Sequence, residues 1–103
     1  MESSEGDRNE QLSDALKHPI RRKILRLAIQ TGEPISPPQA TRTINEALAR
    51  VSYHMRVLAD HDIMTLAFTK PTQGALVEHF YSLEPAALPI VKAILKRCGP
   101  GND

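Results

Sequence analysis

The chain has 103 residues, enough for one small domain with one core and too few for two. Apolar residues make up 41% and aromatics only 4%, with Trp absent, so the core must be mostly aliphatic. A single Cys excludes an internal disulfide and a Cys-rich zinc site, and no apolar run approaches the ~20 residues needed to span a bilayer. The opening MESSEGDRNE is acidic and polar, unlike a secretory leader, and a cytoplasmic location is expected.

The net charge of +1 is unevenly distributed. Residues 1–16 carry one base and five acids, whereas residues 17–70 carry nine bases and four acids. Residues 71–103 carry three of each. A locally basic middle segment suits a polyanion whatever the total charge, although a solvated, unevenly charged face would read the same way.

In chain order, residues 1–8 are polar without periodicity and are expected to be a disordered acidic tail. The folded domain is expected over residues 9–98, with 99–103 a second disordered tail. A first helix is predicted from Asn9 to Lys17, with Leu12, Ala15 and Leu16 on one side. His18-Pro19 then opens a second helix, whose Ile20, Ile24, Leu27 and Ala28 recur at helical spacing until Gly32 and Pro34 stop it. Ser36-Pro37 reads as an N-cap and first-turn proline of a short helix that buries Ala40 and Ile44. Asn45-Glu46 is a brief turn, and Asn tolerates the left-handed conformation such turns often need. The next helix, from about Leu48 to His61, carries Leu48, Val51, Met55 and Leu58 as a buried stripe.

After Asp62 the period changes to 2. Met64, Leu66 and Phe68 alternate with Thr65, Ala67 and Thr69, a half-buried strand. Lys70 to Gly74 is a turn, and Val77, His79, Tyr81 and Leu83 form one face of a returning strand. Glu84-Pro85 opens a last helix containing Leu88, Val91, Ile94, Leu95 and Cys98. The expected fold is mainly α with a small β-hairpin, a winged helix-turn-helix of about five helices and a two-stranded wing.

That geometry explains the mixed character of LARVSYHMRVLADHDIM at 48–64. Its apolar stripe anchors the helix, and the other side presents Ala49, Arg50, Ser52, Tyr53 and Arg56. A major groove admits one helix, and base edges there offer a readable donor and acceptor pattern. Ala49 permits close approach. Arg50 is the candidate for a bidentate pair with guanine, worth roughly 1–3 kcal/mol of discrimination. Ser52, Tyr53 and Arg56 are candidates for phosphate, aided by the helix N-terminus. His54, at the edge of the stripe, either joins them or hydrogen-bonds within the domain. Lys70 and Gln73 are the wing's candidates. Ser52 and His54 lie about 200° apart around a helix and cannot form a nucleophile–base dyad, so no enzyme is expected.

The pieces LKHPIRRKILRL at 16–27, VSYHMRVLADHDIM at 51–64 and QGALVEHFYSL at 73–83 together resemble the ArsR-like winged-helix transcriptional regulators. The likeness covers roughly residues 12 to 98, in the family's order, with Arg21 at the family's usual arginine and the Ser-x-His-apolar pattern at Ser52, His54 and Met55. It implies a homodimer that binds double-stranded operator DNA and represses transcription until a signal releases it. The ligand patterns of the family's metal sensors have no counterpart here, so no metal and no cofactor are expected. The wing tip holds Thr72-Gln73-Gly74 where relatives often carry Arg, and Asp62 stands where relatives usually have Gly.

The apolar stripe of the last helix, widened by Ala87 and Ile90, is too broad for a one-sided surface helix and calls for a partner. Leu12, Leu16, Leu88, Val91, Ile94 and Leu95 are therefore expected at the dimer interface. His79 and Cys98 are expected to be structural. No effector pocket is legible, and the small-molecule signal is unknown. The alternative reading is a winged-helix protein-interaction module whose polar face stays solvated.

Overall fold

The computed structural model describes residues 4–74 and 76–99. The elements run α1 (Ser4–Ala15), α2 (Pro19–Thr31), α3 (Pro37–Ile44), α4 (Leu48–Asp60), β1 (Met64–Pro71), β2 (Val77–Leu83), a single 3-10 turn (Pro85–Ala87) and α5 (Leu88–Cys98). This is the winged helix-turn-helix that the sequence predicts. The first helix differs: it starts at Ser4, not Asn9, and stops at Ala15, so α1 takes up most of the segment expected to be a tail. A polar helix carries no apolar periodicity, so periodicity does not register it. Residues 1–3, and 100–103 of the second expected tail, lie outside the described residues.

The helix boundaries are set by local chemistry. Pro19 occupies the first turn of α2, and Gly32 at φ 69° ends it with a left-handed C-cap whose N–H bonds the Ala28 carbonyl. Ser36 caps α3 with a full capping box: its hydroxyl accepts from the Gln39 N–H, and the Gln39 side chain accepts from the Ser36 N–H. Asn45 closes α3 at φ 66°, the left-handed conformation the turn requires. Asp62 adopts φ 59° after α4, where a Gly would be unstrained.

α2 is the central element, in contact with α3, α4, α5 and β2. Its Ile24 and Leu25 are fully buried, together with Val51, Met55 and Leu58 of α4, Ile63 beyond it and Val91 of α5. Leu12 and Leu16 complete this core from the α1 side, and α1 packs against α5.

That packing corrects the expected dimer surface. Leu12, Leu16, Val91, Ile94 and Leu95 are all at most 7% exposed within the single chain, and only Leu88 remains half-buried. Within the chain, α1 and α2 pack against α5 and cover these residues.

The hairpin is antiparallel, pairing Met64 with Leu83 through Pro71 with Val77, and a bulge between Leu66 and Phe68 interrupts the register. The simple alternation expected of β1 fails: Met64 is buried, but Leu66 and Phe68 are 49% and 42% exposed. The bulge inserts Ala67 and sets Phe68 opposite Phe80, where the two rings stack at 4.7 Å. On β2, Tyr81 and Leu83 pack against the core as expected, whereas Val77 and His79 are exposed. The most buried residue of β2 is Phe80, on the other face. Tyr81 also exchanges backbone hydrogen bonds of 2.8 and 2.9 Å with Ile35, tying the root of the wing to the segment before α3.

Ser36 joins these parts. It is fully buried, caps α3 and donates its hydroxyl to Glu78 on β2. Ser36→Ala removes the cap and strands the Glu78 carboxylate, and is expected to lower stability by about 1–3 kcal/mol in urea unfolding. A loss under ~0.5 kcal/mol would show that the cap and its link to the wing are unimportant.

Candidate nucleic-acid interface

α3, a three-residue turn and α4 place one helix on the core with its far side outward. Val51, Met55 and Leu58 are completely buried, which fixes the rotation of α4 about its axis. The remaining positions follow. Ala49, Arg50, Tyr53 and Arg56 are exposed, and Ser52 and His54 are half-buried. Ala49, Arg50, Tyr53 and Arg56 thus face outward, while Ser52 lies on the wing side of α4 and His54 on the side towards α2. Leu48 is the exception within the stripe: it is 49% exposed, because it lies in the first turn and lines a cleft facing the wing.

The N-terminus of α4 has no side-chain cap, since Ala47 holds the N-cap position, and no acid occupies the first turn. Its first N–H groups are open to an acceptor such as a phosphate oxygen. Arg50 pairs with Glu46 one turn away at 3.7 Å, with 62% of its side chain exposed. An exposed pair of this kind is worth at most about 1 kcal/mol, so it holds Arg50 loosely and yields to a better acceptor. Arg56 has no ion-pair or hydrogen-bond partner among the described residues.

His54 sits in a built cluster. Arg21 of α2, only 8% exposed, donates from Nε to His54 Nδ1 at 3.0 Å and from Nη1 to the Ala15 carbonyl at 3.2 Å. The rings of His18 and Tyr53 flank His54 at 5.5 and 5.1 Å. Because Nδ1 accepts, the neutral imidazole carries its proton on Nε2. Of the two roles open to His54, the hydrogen bond within the domain is made. Burial lowers its pKa below the ordinary 6.5, and the positive charge of Arg21, then His18 and Arg50, lowers it further. Burial also pulls Arg21 below its ordinary value, opposed by Tyr53.

Other cations of α2 serve the fold. Arg22 donates to the Leu16 carbonyl at 2.8 Å, and Arg26 donates to the Gly99 and Leu95 carbonyls at the C-terminal end of α5. On the wing, Lys70 Nζ lies 5.2 Å from the Phe80 ring centre and 5.8 Å from that of Phe68, so its ammonium sits over the aromatic stack. Gln73 is exposed in a tip closed by Thr72, whose N–H and hydroxyl both donate to the Leu76 carbonyl.

Sequence reasoning missed the Arg21–His54 contact, which joins residues 33 positions apart and leaves no local pattern. Arg21 itself is marked by the family resemblance and stands in the run of cations at Arg21, Arg22, Lys23 and Arg26.

The arrangement defines a class: a helix-turn-helix with an appended wing. The helix-turn-helix domain family matches residues 16–67, just over half of the chain, and the chain belongs to that family. No match is found among curated proteins. Among the described residues no helix is long and apolar enough to cross a membrane.

His54 binds its proton less readily in the folded chain than in the unfolded one. Its contribution to stability is therefore complete above the unfolded value of about 6.5 and is lost as pH falls through the lowered folded value. NMR titration should place His54 below 6.5 in the native protein, and Arg21→Ala should move it back towards 6.5. A native value at or above 6.5 would contradict the Arg21–His54 bond.

Proposed function

We propose that the chain is a sequence-specific regulator of transcription that binds double-stranded DNA, an ArsR-like repressor acting as a homodimer in the cytoplasm. The observation that carries the DNA reading is the rotation of α4: complete burial of Val51, Met55 and Leu58 leaves Ala49, Arg50, Tyr53 and Arg56 facing outward together. Arg50 reads a base edge, with guanine its best acceptor. Arg56, Ser52, Tyr53 and the open N-terminus of α4 hold phosphates and fix the register. His54 contributes through its Nε2 proton, since Nδ1 is committed to Arg21. Lys70 and Gln73 add backbone contacts from the wing.

A dimer follows from the size of this surface. One recognition helix touches only a few base pairs, and two copies related by a two-fold axis would read half-sites about 34 Å apart. With five of the six expected interface residues in the monomer core, the copies meet through other surfaces, Leu88 among the candidates. Repression, ArsR-like membership and cytoplasmic location rest on the resemblance carried by residues 16–27, 51–64 and 73–83.

The test is selection from a random duplex pool at two salt concentrations, with the oligomeric state measured by light scattering. Enrichment of an inverted repeat, with affinity falling steeply as salt rises, is the expected result. Arg50→Ala should weaken binding by about 1–3 kcal/mol and relax one base position, whereas Arg56→Ala should weaken all sequences alike and flatten the salt slope by about one unit. A pool without enrichment, bound only at low salt, would refute sequence reading and favour the protein-interaction alternative.

A further inference from the structure

Among the described residues six large hydrophobic side chains are exposed, and three of them, Leu48, Leu76 and Val77, line one cleft. The cleft lies between the N-terminal half of α4 and the wing and has a volume of about 480 Å³. Tyr81 extends the apolar wall, and His79 stacks beside it with ring centres 6.5 Å apart. Leu76 is 77% exposed and Val77 48%, an unfavourable placement in water unless something covers them.

The polar side of the cleft is equally specific. Arg56 borders it and has no partner among the described residues. The one carboxylate in the lining, Glu78, is engaged by the buried Ser36 hydroxyl. One wall therefore offers an uncommitted guanidinium and the others offer apolar surface, while the committed Glu78 repels an anion and steers it towards Arg56. A guanidinium fork binds carboxylate in bidentate fashion. The volume falls in the range of small-molecule sites, about 300–1,000 Å³.

We propose that this cleft binds small amphipathic carboxylates, an aryl or alkyl body on Leu48, Leu76, Val77 and Tyr81 with its anionic head on Arg56. Occupancy withdraws Arg56 and fills the space between the recognition helix and the wing, so ligand and DNA exclude one another. The exclusion rests on the DNA-binding reading above, but the site itself does not.

The full chain, without DNA, is titrated with 2-naphthoate and 4-phenylbutyrate while backbone amides are followed by NMR. The expected shifts cluster at Leu48, Ser52, Leu76, Val77 and His79. Leu76→Ser, at an exposed position, should fold normally and bind 2-naphthoate about tenfold more weakly through lost apolar contact. Neutral 2-naphthamide should bind about fivefold more weakly than 2-naphthoate, having no charge for Arg56. If neither carboxylate moves these amides at about 10 mM, or if Leu76→Ser binds as well as the native chain, the site is refuted. In a second arm, 2-naphthoate should release a selected duplex from the native chain and release it far less from Leu76→Ser. Shifts in the cleft with no effect on bound duplex would leave the site standing and overturn the exclusion. Absence of any specific duplex would count against the DNA reading alone.

Discussion

The rest of the structure depends on one constraint, the complete burial of Val51, Met55 and Leu58. A helix with three side chains seated in a packed core cannot turn about its axis without opening cavities, and truncating such a side chain typically costs about 2–5 kcal/mol. The outward face of α4 is thereby decided before any ligand arrives. Preorganisation of this kind matters for recognition because base edges demand fixed donor positions.

Around that anchor, polar contacts tie the neighbouring elements to α4 and to each other. Arg21 links the end of α1 to His54 on the recognition helix from a nearly buried position. Ser36 links the start of α3 to Glu78 on the wing. The Ile35–Tyr81 backbone pair holds the root of the wing beside the same segment. A buried polar group must be satisfied, so each of these contacts resists displacement more than an exposed ion pair such as Arg50–Glu46 does. The domain is stiff where it positions α4 and compliant where Arg50 would meet a ligand.

The wing obeys a different balance. With few core residues available to it, it builds its own small cluster from Phe68, Phe80 and the ammonium of Lys70. The bulge at Ala67 makes that stack possible by resetting the register. The opposite face of β2 is left with Val77, His79 and part of Tyr81 open towards α4, and the cleft results.

Much of this was legible in the residues. Pro19, Gly32, Ser36 and Asn45 act through local backbone chemistry, so they marked the helix ends directly. The 3.6-residue stripe of Val51, Met55 and Leu58 and the switch to alternation after Asp62 marked the recognition helix and the wing, because periodicity reports which side of an element faces a core. Periodicity does not report whose core. The stripe on α5 suggested a second copy, and only the folded chain showed α1 and α2 covering it. Leu48 fitted the helical stripe and proved exposed, and Leu66 and Phe68 fitted an alternation that the bulge broke. The sequence by itself determined the elements, their order and the polar face of α4, since these follow from interactions within a few residues. Tertiary structure alone decided the Arg21–His54 and Ser36–Glu78 contacts, the covering of α5 and the cleft beneath the wing. Those depend on residues far apart in the chain, which only packing brings together.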